Sequence, residues 1–150
     1  MICYLDTSAL VKLYVAEDGS GAVRELVAVA VAVATSRVAY AEARAALARG
    51  AHEGILDEAG YRLAVGALEE EWGSYLAVGI SDHVLKLAGE LAEEHELRGF
   101  DALHLASALV LKRQVKLPVA LASWDARLWE AARAIGFQVV PETRPGAAGR

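Results

Sequence analysis

The sequence has 150 residues, a net charge of −5 and a hydrophobic fraction of 55%. This length and composition predict a single domain with a sizeable core and exclude a disordered chain, while the longest apolar run, Leu26 to Thr35, is too short and Ala-rich to span a bilayer. Because binding nucleic acid by charge alone requires a basic protein, a nucleic-acid partner would need a metal ion or a local basic rim.

The chain begins with an apolar run, Ile2 to Leu5, that predicts a buried strand, and Asp6 follows it directly. Further strands are predicted at 29–35, 76–80, 118–122 and 137–140. The predicted helices lie between them, at 8–15, 22–28, 37–50, 58–75, from Ser81 or Asp82 to Gly99, from Phe100 to about 113, and at 126–135. Helices that alternate with short apolar strands indicate an α/β fold, with a parallel sheet covered on both faces.

The domain is predicted to span 1–140, and the Pro- and Gly-containing segment 141–150 is predicted to be a flexible tail. No basic segment with a cleavage site precedes the first strand, so we expect a cytoplasmic protein with no membrane partner. The one cysteine, Cys3, excludes a disulfide framework and is expected to be a buried, inert thiol.

Four acidic residues occupy positions where a charge is awkward for packing alone. Asp6 and Asp125 follow predicted strands, Glu42 lies in an Ala-rich helix after another strand, and Asp101 begins an apolar helix. In a parallel sheet the strand ends and the following helix starts share one edge, so these carboxylates can converge. Two carboxylates about 4 Å apart repel by roughly 4 kcal/mol at a dielectric constant near 20, and Mg²⁺ or Mn²⁺ removes that cost.

Each of these residues has a simpler interpretation. Asp6, Asp101 and Asp125 are also suitable helix N-caps, and Glu42 is equally consistent with a surface glutamate paired with an arginine. Other polar residues near the acids either orient water or phosphate or serve as caps: Thr7, Ser8 and Ser123. His104 shares a helix face with Asp101, but a lone histidine in an apolar helix is more often a core residue.

Seven basic residues either form a rim for nucleic acid or belong to an ordinary solvated surface: Arg37, Arg44, Arg49, Arg98, Lys112, Arg113 and Lys116. From the residues alone, the metal site and the caps remain open alternatives.

Four short motifs, taken together, resemble the PIN-domain family and within it the VapC-type toxins of toxin–antitoxin pairs. They are Leu5-Asp6-Thr7-Ser8, the helical Glu42, Phe100-Asp101-Ala102-Leu103-His104-Leu105-Ala106, and Ser123-Trp124-Asp125-Ala126-Arg127-Leu128. Each motif is weak by itself, but their order and separation along the whole chain are specific. Trp124 departs from the family pattern, which usually has a small polar residue before the fourth acid.

The resemblance implies a three-layer α/β/α sandwich with a parallel sheet of about five strands and a divalent-metal-dependent endoribonuclease activity. It implies Mg²⁺ or Mn²⁺ as the cofactor, held by Asp6, Glu42, Asp101 and Asp125, with Thr7, Ser8 and Ser123 in support. It also implies an RNA substrate, a cognate antitoxin and a homodimer.

Two hypotheses from other classes compete with the ribonuclease. A binding module that acts through protein partners without turnover would have no use for four convergent acids. A phosphohydrolase with Asp6 as its nucleophile needs an acid two residues later, where Ser8 stands.

Overall fold

A five-stranded parallel sheet forms the centre of the protein, of which the computed structural model describes residues 1–146. The strand order is β3-β2-β1-β4-β5, and every neighbouring pair is parallel. The strands are β1 (Ile2–Leu5), β2 (Ala32–Ser36), β3 (Leu76–Val78), β4 (Val119–Ala122) and β5 (Gln138–Val140). The predicted α/β class is confirmed, and β1 lies in the middle, so the residue after it is at the centre of the sheet's carboxyl edge.

Seven helices cover the two faces of the sheet in the described part of the chain. They are α1 (Thr7–Val11), α2 (Ser20–Val29), α3 (Val38–His52), α4 (Glu58–Trp72), α5 (Asp82–His95), α6 (Gly99–Gln114) and α7 (Ala126–Ala134). Successive side chains of β1 point to opposite faces of the sheet, so the core has two parts. Ile2 and Tyr4 pack with α5, α6 and α7 on one face, and Cys3 and Leu5 pack with α1 to α4 on the other. Cys3 is buried as predicted, and burial raises the pKa of its thiol to about 11.

Several predicted boundaries were wrong, and the largest errors are at the ends of α1, which stops at Val11 rather than 15, and of α5. Gly99 does not stop this helix, because α5 ends at His95 and Gly99 is the first residue of α6. Glu96 takes the left-handed conformation, with φ of 54°, and turns the chain so that Leu97 is buried. The boundary between α2 and β2 also differs from the prediction of a strand at 29–35, since α2 continues to Val29 and β2 begins at Ala32. A run of Ala and Val is compatible with either element, so the sequence does not locate this boundary.

The described part of the predicted tail lies against α7. The Trp129 indole donates a hydrogen bond to the Pro141 carbonyl (2.8 Å), and Arg144 pairs with Glu130 (2.5 Å). Residues 147–150 lie outside the described residues, so the flexible tail stays a prediction. Among residues 1–146, no helix combines the length and apolarity that crossing a membrane requires.

Candidate active site

Asp6 lies at the carboxyl end of the central strand and is almost fully buried, with 2% exposure. Its Oδ1 accepts hydrogen bonds from the Ala9 amide (2.9 Å) and the Ser8 hydroxyl (2.6 Å), and its Oδ2 accepts one from the Ser123 hydroxyl (2.6 Å). The contact with Ala9 caps α1. The two interpretations of Asp6 are therefore compatible, because one carboxylate caps a helix and stands at the sheet edge.

Ser8 and Ser123 join the ends of β1 and β4 through this carboxylate. The Ser8 hydroxyl also accepts a hydrogen bond from the Trp124 amide (2.9 Å), and the Ser123 hydroxyl accepts one from the Asp125 amide (3.1 Å). Asp125 caps α7 by accepting from the Leu128 amide (3.0 Å). The two serines therefore fix Asp6 and the turn before Asp125, and neither caps a helix with its side chain.

Trp124, the residue that departs from the family pattern, packs its indole against the loop between α1 and α2. A Cβ atom on Gly19 would lie 2.6 Å from the indole, and Gly19 has φ of 89°, so glycine is needed there on both counts. The Lys12 ammonium lies 4.9 Å from the ring centroid and pairs with Glu17 (3.1 Å). The indole thus packs against this loop, and the Trp124 backbone amide keeps its hydrogen bond to Ser8.

Glu42 lies in the second turn of α3, which follows β2. Its Oε1 accepts hydrogen bonds from the Thr7 hydroxyl (2.5 Å) and from Nε2 of His104 (3.0 Å). Burial raises the pKa of this carboxyl, but the hydrogen bonds from His104 and Thr7 outweigh burial and lower it overall. The expectation of a surface glutamate paired with an arginine was wrong, because the partners of Glu42 are a threonine and a buried histidine.

Asp101 is the third residue of α6 and does not cap it, since Arg98 occupies the N-cap position. Within residues 1–146 its carboxylate accepts no hydrogen bond. Burial raises its pKa to about 6, and the negative charges of Asp125 and Asp6 add to this shift. The fold therefore brings these three acids close enough for their charges to oppose one another.

The pKa of Asp6 is also raised, since burial outweighs the charge of His104 and the three hydrogen bonds described above. Carboxylates whose pKa values are raised in this way are candidates for a functional site, and a bound cation would favour their ionised form. Oxygen ligands of this kind fit Mg²⁺ or Mn²⁺ by their chemistry. In the described residues, however, no three acidic, histidine or cysteine side chains are arranged closely enough to enclose one ion.

A groove of about 630 Å³ opens beside the acids, between α5 and α6. Glu42 and Asp101 line one part of it, and its walls include Leu85, Phe100 and the basic residue Arg98. Phe100 is 57% exposed, although it is large and apolar. Lys112 and Arg113 lie in the last turn of α6, so they are about 16 Å along the helix from Asp101.

The prediction left two residues out of the site: His104, which contacts Glu42, and Tyr4, which contacts His104. His104 is 1% exposed and hydrogen-bonds to Glu42, while the Tyr4 hydroxyl lies 2.8 Å from its other ring nitrogen. The spacing of His104 from Asp101 indicated a shared helix face, but the spacing is equally consistent with a core histidine. Tyr4 carries no such signal beyond its place two residues before Asp6.

Comparisons with known proteins agree with this fold. The family model described as "PIN domain" matches residues 3–135. A relative named ribonuclease VapC45, from Mycobacterium tuberculosis (strain CDC 1551 / Oshkosh), is 40% identical over 140 residues, which cover 93% of this chain and 95% of that protein.

Two solved structures share the fold at low identity. One is a toxin–antitoxin complex from Klebsiella pneumoniae, with a TM-score of 0.65 and 18% identity, covering 95% of this chain and 98% of the other. The other is Mycobacterium tuberculosis VapC20, described as a sarcin–ricin loop cleaving toxin. It has a TM-score of 0.63 and 21% identity, and the match covers 95% and 99% of the two chains.

Proposed function

The chain belongs to the PIN-domain family, and we propose that it is a Mg²⁺- or Mn²⁺-dependent endoribonuclease, the toxin of a VapBC-type pair. The observation that carries the proposal is the convergence of Asp6, Asp101 and Asp125, in which burial first, and then the charges of Asp125 and Asp6, raise the pKa of Asp101 to about 6. The 40% identity to a VapC ribonuclease supports RNA as the substrate.

In the proposed reaction the four acids hold the cation, and the neighbouring hydroxyl residues orient the acids. Asp6, Glu42, Asp101 and Asp125 would hold the cation, which when bound neutralises charge on a phosphodiester and activates water for in-line attack. Ser8 and Ser123 keep the Asp6 carboxylate in one orientation, and Thr7 does the same for Glu42. Asp101 accepts no hydrogen bond in the described part of the chain, so its side chain is free to adjust to ligand.

The groove between α5 and α6 is the proposed path of the RNA strand. It adjoins Glu42 and Asp101, it has a volume of about 630 Å³, and it presents the exposed ring of Phe100 beside Arg98. Bases stack on aromatic rings and phosphates pair with arginine, so both residues suit a single-stranded segment. A local arginine also helps offset the net charge of −5.

The proposal includes a cognate antitoxin, a homodimer and a cytoplasmic location. The fold shared with a chain of a toxin–antitoxin complex supports the antitoxin. The homodimer and the cytoplasmic location are proposed by analogy with the family.

The test is cleavage of total bacterial RNA and of synthetic single-stranded and hairpin RNAs in Mn²⁺, by the wild type and by the variants Asp6→Asn and Asp101→Asn. Each variant keeps the side-chain volume and removes one charge. We expect each to lose roughly a thousandfold in rate, because a bound metal contributes several kcal/mol to such a reaction. Chelation of the metal should abolish wild-type cleavage.

Asp82→Asn is the matched control, since Asp82 is an exposed acid in the first turn of α5 and lies outside the site. It should cleave at the wild-type rate. Wild-type cleavage by Asp6→Asn or Asp101→Asn would contradict the assignment. A wild-type protein that neither binds millimolar Mn²⁺ nor cuts any RNA would favour the binding module instead.

A further inference from the structure

His104 is a buried residue of α6 whose two ring nitrogens both face polar groups. Nε2 lies 3.0 Å from Oε1 of Glu42 and 3.0 Å from the hydroxyl oxygen of Thr7, and Nδ1 lies 2.8 Å from the Tyr4 hydroxyl. The Tyr4 and His104 rings meet edge to face, with centroids 5.9 Å apart. A histidine in the core needs only a hydrogen-bond partner for each ring nitrogen. Here the partner of Nε2 is Glu42, a predicted metal ligand.

The positions of the protons follow from counting donors. The single hydroxyl proton of Thr7 is donated to Oε1 of Glu42, and an ionised carboxylate has no proton to give. If Nε2 carried a bare lone pair, it would face two oxygen lone pairs at 3.0 Å. Nε2 therefore carries a proton and donates it towards Glu42.

The other side of the ring is consistent with this arrangement. When Nε2 is the ring nitrogen that carries the proton, Nδ1 is the acceptor and receives a hydrogen bond from the Tyr4 hydroxyl. The Tyr4 hydroxyl is fully buried, and burial raises its pKa well above the ordinary value, so it keeps its proton. The result is a continuous chain of donors from Tyr4 to His104 to Glu42.

We propose that His104 is a positioning residue, which with Thr7 holds Oε1 of Glu42 through its Nε2–H and leaves Oε2 for the divalent cation. No described residue donates a hydrogen bond to Oε2. Tyr4 fixes the ring through Nδ1, so the orientation of a ligand on α3 depends on a strand residue and a helix residue from the opposite side of the sheet. The inference rests on the proposed function, because it assigns Oε2 to the cation of that site.

The test compares three variants of the full chain by Mn²⁺ affinity and by RNA cleavage. His104→Leu keeps a similar volume and removes both ring contacts, so we expect a 10- to 100-fold loss of Mn²⁺ affinity, the usual effect of removing a group that orients a metal ligand. His104→Gln restores an N–H donor near Glu42 and should recover most of that loss. Tyr4→Phe keeps the ring and removes only the hydroxyl, so its loss should be smaller than that of His104→Leu.

Leu105→Ala is the control for a merely structural effect. Leu105 is the next residue on α6, is completely buried, and contacts the core rather than the acids. It should lower the unfolding midpoint without lowering Mn²⁺ affinity. If Leu105→Ala weakened Mn²⁺ as much as His104→Leu, or if His104→Gln recovered nothing, the positioning role would be wrong.

Nitrogen-15 NMR of the histidine rings gives a readout that does not depend on metal or RNA. The wild type should show a protonated Nε2 on His104, and a ring protonated on Nδ1 alone would overturn the proposal. The two proposals fail differently. A wild type without Mn²⁺ binding or cleavage rejects the ribonuclease, whereas an active wild type matched by His104→Leu rejects only the positioning role.

Discussion

The candidate site has two halves that are held in different ways. The strand-end half comprises Asp6 and Asp125 with Ser8 and Ser123, at the ends of β1 and β4. The helix half comprises Glu42 of α3 and Asp101 of α6. Both oxygens of Asp6 accept hydrogen bonds from neighbouring residues, whereas Asp101 accepts none in the described part of the chain.

The difference follows from how each half is built. Adjacent parallel strands are tied along their length, so the residues that leave them are fixed relative to one another, and the two serines complete the connection. Residues on two helices from opposite faces of the sheet have no such common frame. Hydrogen bonds from Thr7 and His104 fix Glu42, while Asp101 borders the open groove. One half is thus preorganised, and the other is where ligand and substrate must enter.

Among the tests of this comparison, Ser123→Ala has the largest expected effect. The change leaves Oδ2 of Asp6 and the Asp125 amide without their hydroxyl partner, so we expect the free energy of unfolding to fall by about 2 kcal/mol. RNA cleavage should fall 10- to 100-fold, because Asp6 loses the group that orients it. Urea denaturation and single-turnover cleavage in saturating Mn²⁺ measure the two effects.

Ser20→Ala is the matched control, since Ser20 is a buried serine in the α1–α2 region with two backbone hydrogen bonds. It should lose stability and keep its cleavage rate. Equal losses of cleavage in Ser20→Ala and Ser123→Ala would mean that cleavage does not depend specifically on the hydrogen bonds of Ser123 in the strand-end half.

Phe100→Ala tests the open half. Loss of one stacking platform costs about 1–3 kcal/mol per base, so KM for a single-stranded RNA should rise by about tenfold while kcat changes little. Leu63→Ala, which removes an even more exposed apolar residue from α4, should change neither constant. A fall in kcat with unchanged KM would show that Phe100 supports the acids rather than the strand.

The smallest expected effect concerns the charge of Asp101 in metal-free protein. Its folded pKa of about 6 lies above the ordinary 3.8, so the folded state holds more protons than the unfolded state between these values. Stability therefore falls as pH rises through this window, and the cost is complete above pH 6. Asp101→Asn should then be more stable than wild type at pH 7 by about 1 kcal/mol, a value reduced for solvent screening.

The measurement is the urea midpoint in chelator at pH 4 and pH 7, with the exposed Asp82→Asn as control. The gain of Asp101→Asn should be small at pH 4 and should disappear at pH 7 when Mn²⁺ is added to both proteins. A variant less stable than wild type at pH 7 would show that Asp101 has a stabilising partner.

Much of the fold follows from the sequence, because period and length are local signals. The five short apolar runs predicted five strands, and the alternation with helices predicted a parallel sheet. Boundaries were less predictable, as at Gly99, because the end of α5 depends on the burial of Leu97 rather than on the nearest glycine. The residues alone left the four acids open between metal ligands and simpler roles, the resemblance to the PIN-domain family implied that they are ligands, and that role stays a prediction.

The sequence by itself determined the layers, the strand-end position of Asp6 and the family to which the chain belongs. Only the tertiary structure decided which hydroxyl serves which carboxylate, and that His104, bonded to Tyr4, reaches Glu42 from the other side of the sheet. A hydrogen bond between residues 62 positions apart leaves no trace in local spacing. It arises from the register of β1 between β2 and β4, which sets α3 and α6 at one edge.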